Sequence, residues 1–156
     1  MVDRAFQTFG AFTSGIGIHY SPSTITDVTY QSIAPGLLIG QRIIPQTLIR
    51  AADSRPFEIQ DLCPADIKFK ILIFLGDIAD PPQVERAQKL AEALAKPESF
   101  LSKYGRAKSG VVGWKVFELL TICATKKETV NFLDVPAIMR PHWTKFVSFR
   151  DRKSVV

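Results

Sequence analysis

The sequence predicts a mixed α/β domain built around a strand–helix–strand unit. Three features carry that expectation. Lys68 to Leu75 (KFKILIFL) begins with alternation and becomes continuously apolar, as a strand entering the middle of a sheet with both faces covered does. Val84, Ala87, Leu90, Ala91 and Leu94 recur at helical spacing behind two prolines, so Pro82 to Lys96 reads as an amphipathic helix. Val116 to Cys123 (VFELLTIC) is a second buried strand. Two strands about 40 residues apart with a helix between them favour a parallel pair and a right-handed crossover.

The remaining elements follow in chain order. Phe6 to Tyr20 is rich in aromatic and β-branched residues around Gly10, Gly15 and Gly17, and is expected to hold one or two short strands separated by tight backbone. Ser21 to Asp66 is punctuated by Pro22, Pro35, Pro45, Pro56 and Pro64 and shows no helical period. A structureless run that long is unusual inside a compact domain, so it is expected to wrap a surface, its own or a partner's. Pro97 to Gly113 reads as a second short helix and a Gly-rich loop, Asp134 to Met139 as a turn or short helix, and Lys145 to Phe149 as a third strand. Phe74, Trp114 and Phe117 are expected in the core, with Trp143 and Phe146 at its edge or on a contact surface.

Composition bounds the function. A chain of 156 residues with 46% hydrophobic and 22% charged residues suits one globular domain, and excludes disordered, collagenous and coiled-coil classes. No uncharged apolar stretch approaches the ~18 residues of a membrane span, and the N-terminus lacks the apolar run of a secretory signal. Two cysteines make no disulfide framework, which points to a reducing, cytoplasmic compartment. The net charge of +5 sits mostly at the end of the chain, where Arg140, Lys145, Arg150, Arg152 and Lys153 face Asp151 alone. No nucleic-acid module accompanies this short basic stretch, so residues 150–156 read as a solvated tail behind a domain spanning 1–149, with neither nucleic acid nor membrane as partner.

Few residues are arranged for chemistry. Cys63 and Cys123 form no Cys-x-x-Cys pair and read as small packed thiols. His19 and His142 are far apart without companion ligands, so no metal site is expected. Ser14-Gly15-Ile16-Gly17 has a Gly-x-Gly but no third glycine and no following helix, and no phosphate-loop or nucleophile-elbow motif occurs. A self-contained flavin or nicotinamide site is therefore unsupported. The loop holding Arg42, Arg50, Asp53 and Arg55 stands apart: an Arg–Asp pair there can fix a loop by bidentate bonding, or the arginines can bind an anion or cap a partner's helix. Asp53 is expected to be ionised, bonded to an arginine or to backbone N–H groups, buried, and pinning the loop against the Phe69–Leu75 strand.

Four segments come in one order at one spacing: FTSGIGIHY at Phe12 to Tyr20, GQRIIP at Gly40 to Pro45, RAADSRP at Arg50 to Pro56, and FKILIFLGD at Phe69 to Asp77. Together they resemble the C-terminal domain of the flavin-dependent phenol 2-monooxygenases and related hydroxybenzoate hydroxylases. That family's pattern is F-x-S-G-x-G-I-x-Y, then P-G-x-R-x-P, R-x-A-D-A-R-P and F-R-(apolar)-F-x-G-D. Here Ser54 stands for the usual Ala and Lys70 for the usual Arg; LDVPAIMRPHW at Leu133 to Trp143 is similar too.

The resemblance implies a thioredoxin-like α/β fold without redox cysteines. It implies a domain that packs on a flavin domain and takes part in dimerisation, with FAD and phenol held by the large preceding domain. On that basis no cofactor belongs to this chain and no catalytic residue carries over; Arg42, Arg50, Asp53 and Arg55 are structural or interface residues. The family continues past the KFVSF-like strand, whereas FRDRKSVV follows here, so the last strand is expected to be missing. Three functions are consistent with these features. The first is a stand-alone, non-catalytic dimerisation module whose partner is itself (a homodimer) or a flavin monooxygenase. The second is a cofactor-free isomerase or cyclase on a phenolic metabolite, using His19, Tyr20, Asp53 and Arg55 as acid, base or anion stabiliser. The third is a fragment of a full-length phenol monooxygenase.

Overall fold

The structure, a computed structural model, describes residues 10, 13–104, 116–126, 128–129, 131–140 and 145–149. Contacts divide the chain into two compact units, residues 1–45 and 46–156.

The second unit carries the predicted α/β character. Among the described residues it holds a five-stranded mixed sheet of β1 (Thr47–Arg50), β2 (Pro56–Glu58), β3 (Phe69–Gly76), β4 (Phe117–Cys123) and β5 (Val147–Phe149), in the order β2-β1-β5-β4-β3. β3 and β4 pair in parallel from Phe69↔Phe117 to Gly76↔Cys123, with a shift between Phe74 and Gly76. β5 joins β4 in parallel and β1 antiparallel. The expected strand–helix–strand unit and third strand are therefore present.

Helix α1 (Pro81–Ala95) starts where Asp80 stays extended and its carbonyl accepts from Gln83 and Val84 at 3.0 and 3.1 Å, with proline at the first positions, where a missing N–H has no consequence. It stops at Lys96, because the residue before Pro97 is pushed out of the helical region. A short α2 (Phe100–Tyr104) follows. Ala87, Ala91 and, less completely, Leu94 meet a core of Ile73, Leu75, Leu101, Leu119, Cys123, Val135, Met139 and Phe146. Val84 and Leu90, expected on the same buried stripe, stay largely exposed, because small alanines make the closest approach to the sheet. Leu48, Ile59, Leu62, Leu120, Ile122 and Val147 are buried outside that cluster. Alternation along β4 explains the two sets: Leu119 and Cys123 point to one face, Leu120 and Ile122 to the other.

Several expectations are corrected. β3 ends the sheet among the described residues instead of lying in its middle, and Phe74, expected in the core, is 44% exposed. The apolar run suggested two covered faces, but only Ile73 and Leu75 are fully enclosed. The proline-rich stretch does contain regular structure, a hairpin of β1 and β2 paired Thr47↔Glu58 to Ile49↔Pro56. These strands are too short to show a period, and they exist because β5 supplies the partner edge. Trp114, His142, Trp143 and the tail 150–156, on which the missing-strand expectation turns, lie outside the described residues.

Of the segment expected to hold short strands, residues 6–9, 11 and 12 lie outside the described residues, and the described part from 13 to 20 shows mainly turns. Ser14 N–H donates to Gly10 at 3.0 Å, and among the described residues the only extended pairing of the 13–20 segment is a single antiparallel bridge between His19 and Gln41. Gly40 makes that bridge possible. Its φ is +87°, and a Cβ there would lie 2.3 Å from the Tyr20 carbonyl oxygen.

Two consequences can be measured. Thr121 is fully buried and its hydroxyl donates to the Met139 carbonyl at 2.6 Å. Thr121→Val is expected to cost about 1–3 kcal/mol by orphaning that carbonyl, read as a lower urea midpoint at unchanged slope, whereas Thr121→Ser keeps the bond. Gly40→Ala is expected to open the bridge, read as lost amide-exchange protection at Tyr20, whose N–H donates to Gly40 at 2.9 Å.

Candidate functional site

Of the charged loop singled out from sequence, Arg50, Asp53 and Arg55 lie at the tip of the β1–β2 hairpin, whereas Arg42 belongs to the first unit. Ser54, in the left-handed region at φ 63°, lets the chain reverse, and its N–H donates to Arg50 at 2.9 Å while Arg50 N–H donates to Arg55 at 2.9 Å. Arg50 grips Asp53 with both arms of its guanidinium, Nε to Oδ1 at 2.8 Å and Nη2 to Oδ2. The Arg55 backbone N–H adds a third bond to Asp53 at 3.1 Å. Arg50 also lies 4.6 Å over the Phe57 ring and Arg55 5.5 Å from its centre. The Arg50 hydrogen bond, then the Arg55 N–H, outweigh partial desolvation and hold the Asp53 carboxyl down at about 2.

Asp53 is thus bonded as expected but not placed as expected. Its side chain is 45% exposed, and its partners belong to its own hairpin, not to β3. A carboxylate at a hairpin tip faces water by geometry, and this pair fixes the turn without being enclosed.

The other candidates lie in the first unit. His19 Nε2 is 3.2 Å from the Ile39 carbonyl, and Tyr20 is exposed. Arg42 donates to the Ser14 carbonyl at 3.2 Å, which braces the Ser14–Gly17 turn. Arg42 Nη1 is also 3.6 Å from the position a Cβ would take at Gly15, and no helix follows this turn. The residues around the Gly-x-Gly therefore do not fit a flavin cradle, which needs a helix N-terminus to face the phosphates.

A cluster that sequence reasoning missed sits at the start of β3 and β4. Lys70 and Glu118 are in register, and Glu118 accepts from both Lys70 and Lys145. Lys70 also reaches Asp66 at 2.5 Å. Burial raises the Glu118 carboxyl, but the two lysine bonds overcome it and the net shift is downward. Desolvation likewise opposes the Lys70 ammonium and is overcome by Asp66 and Glu118, so its net shift is upward. The visible signal was a charged residue near the start of each otherwise apolar strand; the third member, Lys145, is distant in sequence.

At the opposite strand ends Thr125 donates to Asp77 at 2.8 Å and accepts from the Ile78 N–H at 2.7 Å. Burial, reinforced by the Asp77 charge, pushes the Cys123 thiol up to about 12, and burial raises Cys63 against the pull of Lys70 and Lys145. Both thiols are protonated at neutral pH, as packed cysteines are. A cleft of about 460 Å³ lies between α1 and residues 133–140, lined by Val84, Ala91, Leu133 and Ile138 with Glu92 and Arg140 at its polar side. Arg140 is held there by the Val135 and Leu133 carbonyls at 2.6 and 2.8 Å. None of His19, Tyr20, Asp53 or Arg55 lines it.

These clusters define an α/β scaffold whose ionised side chains brace strand ends and turns. The chain belongs to the family described as phenol hydroxylase, C-terminal dimerisation domain, which it matches over residues 18–155. The likeness read from the four motifs therefore holds. Among its relatives, 3-hydroxybenzoate 4-monooxygenase of Comamonas testosteroni is 33% identical over 81 residues, 50% of this chain and 13% of that protein. The FAD-dependent monooxygenase terD of Aspergillus terreus is 30% identical over 103 residues, 65% of this chain and 17% of the relative. Phenol 2-monooxygenase fsqG of Aspergillus fumigatus is 25% identical over 143 residues, 88% of this chain and 22% of its own length. The chain thus spans less than a quarter of each of these relatives.

The Asp53 pairing predicts a pH response. A carboxyl held below its ordinary value of 3.8 stabilises the fold fully above that value, and the contribution is lost as pH falls through about 2. An NMR titration of the Asp53 carboxyl is expected to show a midpoint near 2, moving back toward 3.8 in Arg50→Gln.

Proposed function

We propose that this chain is a non-catalytic association module, a thioredoxin-like domain that pairs with itself or docks on a flavin monooxygenase. The module comprises residues 1–149, with 150–156 as its basic tail. The family match over residues 18–155 carries this reading. It is supported by the occupation of Arg50, Asp53, Lys70, Glu118 and Lys145 in bonds that hold the scaffold together. Arg42, Arg50, Asp53 and Arg55 act as structural residues that shape the surface offered to a partner.

A second reading is favoured by the 13–22% coverage of relatives whose names describe monooxygenases. In it, this domain ends a longer FAD-dependent aromatic-ring hydroxylase, and the flavin and the phenol belong to the part outside these residues. Sequencing the adjoining coding region distinguishes the two: an in-frame continuation encoding a Gly-x-Gly-x-x-Gly strand–helix turn supports the second reading, and its absence supports the first.

Self-association has a thermodynamic signature. When folding and dimer formation are linked, the unfolding midpoint rises with protein concentration. A tenfold increase in concentration is expected to raise Tm by a few degrees, measured by calorimetry. An invariant Tm from micromolar to millimolar concentration counts against a homodimer.

A further inference from the structure

The first unit inverts the usual distribution of side chains. None of its described residues is buried, yet nine large apolar side chains between Ile18 and Ile44 are exposed, Ile25 at 95% and Ile33 at 78% among them. Its polar groups, by contrast, are turned onto the unit's own backbone. The Gln31 amide donates to the Ala34 and Leu37 carbonyls at 3.1 and 3.0 Å and accepts from Ile39 at 2.8 Å. Ser23 and Thr26 exchange backbone bonds at 3.1 and 3.2 Å, and Tyr20 is tied to Gly40. The shape is therefore set by hydrogen bonds while the apolar side chains point to water. Ordering each residue costs roughly 1–2 kcal/mol, and burial within the unit does not offset it. An apolar surface of this kind on a pre-shaped backbone marks an interaction site.

We propose that residues 18–44 form the strap through which two copies of this chain associate, with Tyr20, Ile25, Tyr30, Ile33, Leu38 and Ile44 as its apolar contacts. The proposal rests on the self-association reading above and assigns it a surface. Charge argues for a second copy as the occupant. Of the chain's 20 Lys/Arg and 15 Asp/Glu residues, only Asp27 and Arg42 lie between residues 13 and 45. Asp27 is bonded to Thr29, and Arg42 to Ser14. A two-fold interface brings the same patch from both copies together, so it must be complementary to itself. A strap without net charge meets that condition, and depletion of charge is the compositional mark of an interface core. Size agrees: side chains this large and this exposed present on the order of 1,000 Å² of surface, against the ~800 Å² per partner of a stable complex.

The test is sedimentation velocity on the full chain, comparing wild type with Ile25→Asp/Ile33→Asp on the strap and with Phe69→Asp on the exposed end of β3. Both sites are exposed, so far-UV circular dichroism should match wild type. The strap variant is expected to raise the dimer dissociation constant at least tenfold and Phe69→Asp to leave it unchanged. A strap variant that dimerises like wild type overturns the assignment of the surface, while the self-association reading stands. A wild type that is monomeric at every concentration overturns self-association itself. Amide-exchange protection of residues 18–44 only on adding a flavin monooxygenase truncated before its C-terminal domain overturns the second copy in favour of that partner.

Discussion

The parallel pairing of β3 with β4 is the constraint on which the second unit depends. Its register puts Leu119 and Cys123 against α1 and the 133–140 segment, and leaves Leu120 and Ile122 buried on the opposite face. A slip of one residue would exchange the two faces of β4 along its length. Polar clasps close both ends of the pair: Glu118 with Lys70 and Lys145 at the start, and Thr125 with Asp77 and the Ile78 N–H at the finish. Because Lys145 precedes β5, the first clasp also draws that strand to its place beside β4.

Ionised groups here do structural work in partly wet surroundings. Glu118 is shielded enough for burial to oppose its charge, and its bonds to Lys145 and Lys70 together outweigh that opposition. Asp53 achieves a comparable result at an exposed hairpin tip, through bidentate geometry and a backbone N–H. The two sites show how geometry substitutes for burial: a guanidinium fork fixes a turn where an ammonium would need enclosure or a second partner.

The two units manage apolar surface in opposite ways. The second packs it between sheet and helix, so its folding free energy comes from within. The first keeps its backbone in shape with the Gln31 amide, the Ser23–Thr26 pair and the tight Gly40 crossing, and leaves its large side chains uncovered. The chain belongs to a dimerisation-domain family, and an apolar surface on a backbone already in shape is what the strap proposed above would offer a second copy.

The sequence by itself determined the elements whose signal is local. β3, α1 and β4 were legible because an apolar run of eight residues or a helical stripe between prolines is written within one segment. The bond between Arg50 and Asp53 was legible too, since two opposite charges three residues apart in a loop are already neighbours, and the family likeness was carried by four short motifs in order. Tertiary structure alone decided the rest. β1 and β2 are four and three residues long, and Leu48 of β1 pairs with Phe149 across most of the domain, so no window of sequence contains the partner that makes β1 a strand. The same distance hid Lys145 from Glu118. Whether Asp53 was enclosed, whether Phe74 faced the core, and whether the strap's isoleucines were covered all depend on what lies on the far side of each residue, and that is a property of packing, which local pattern does not encode.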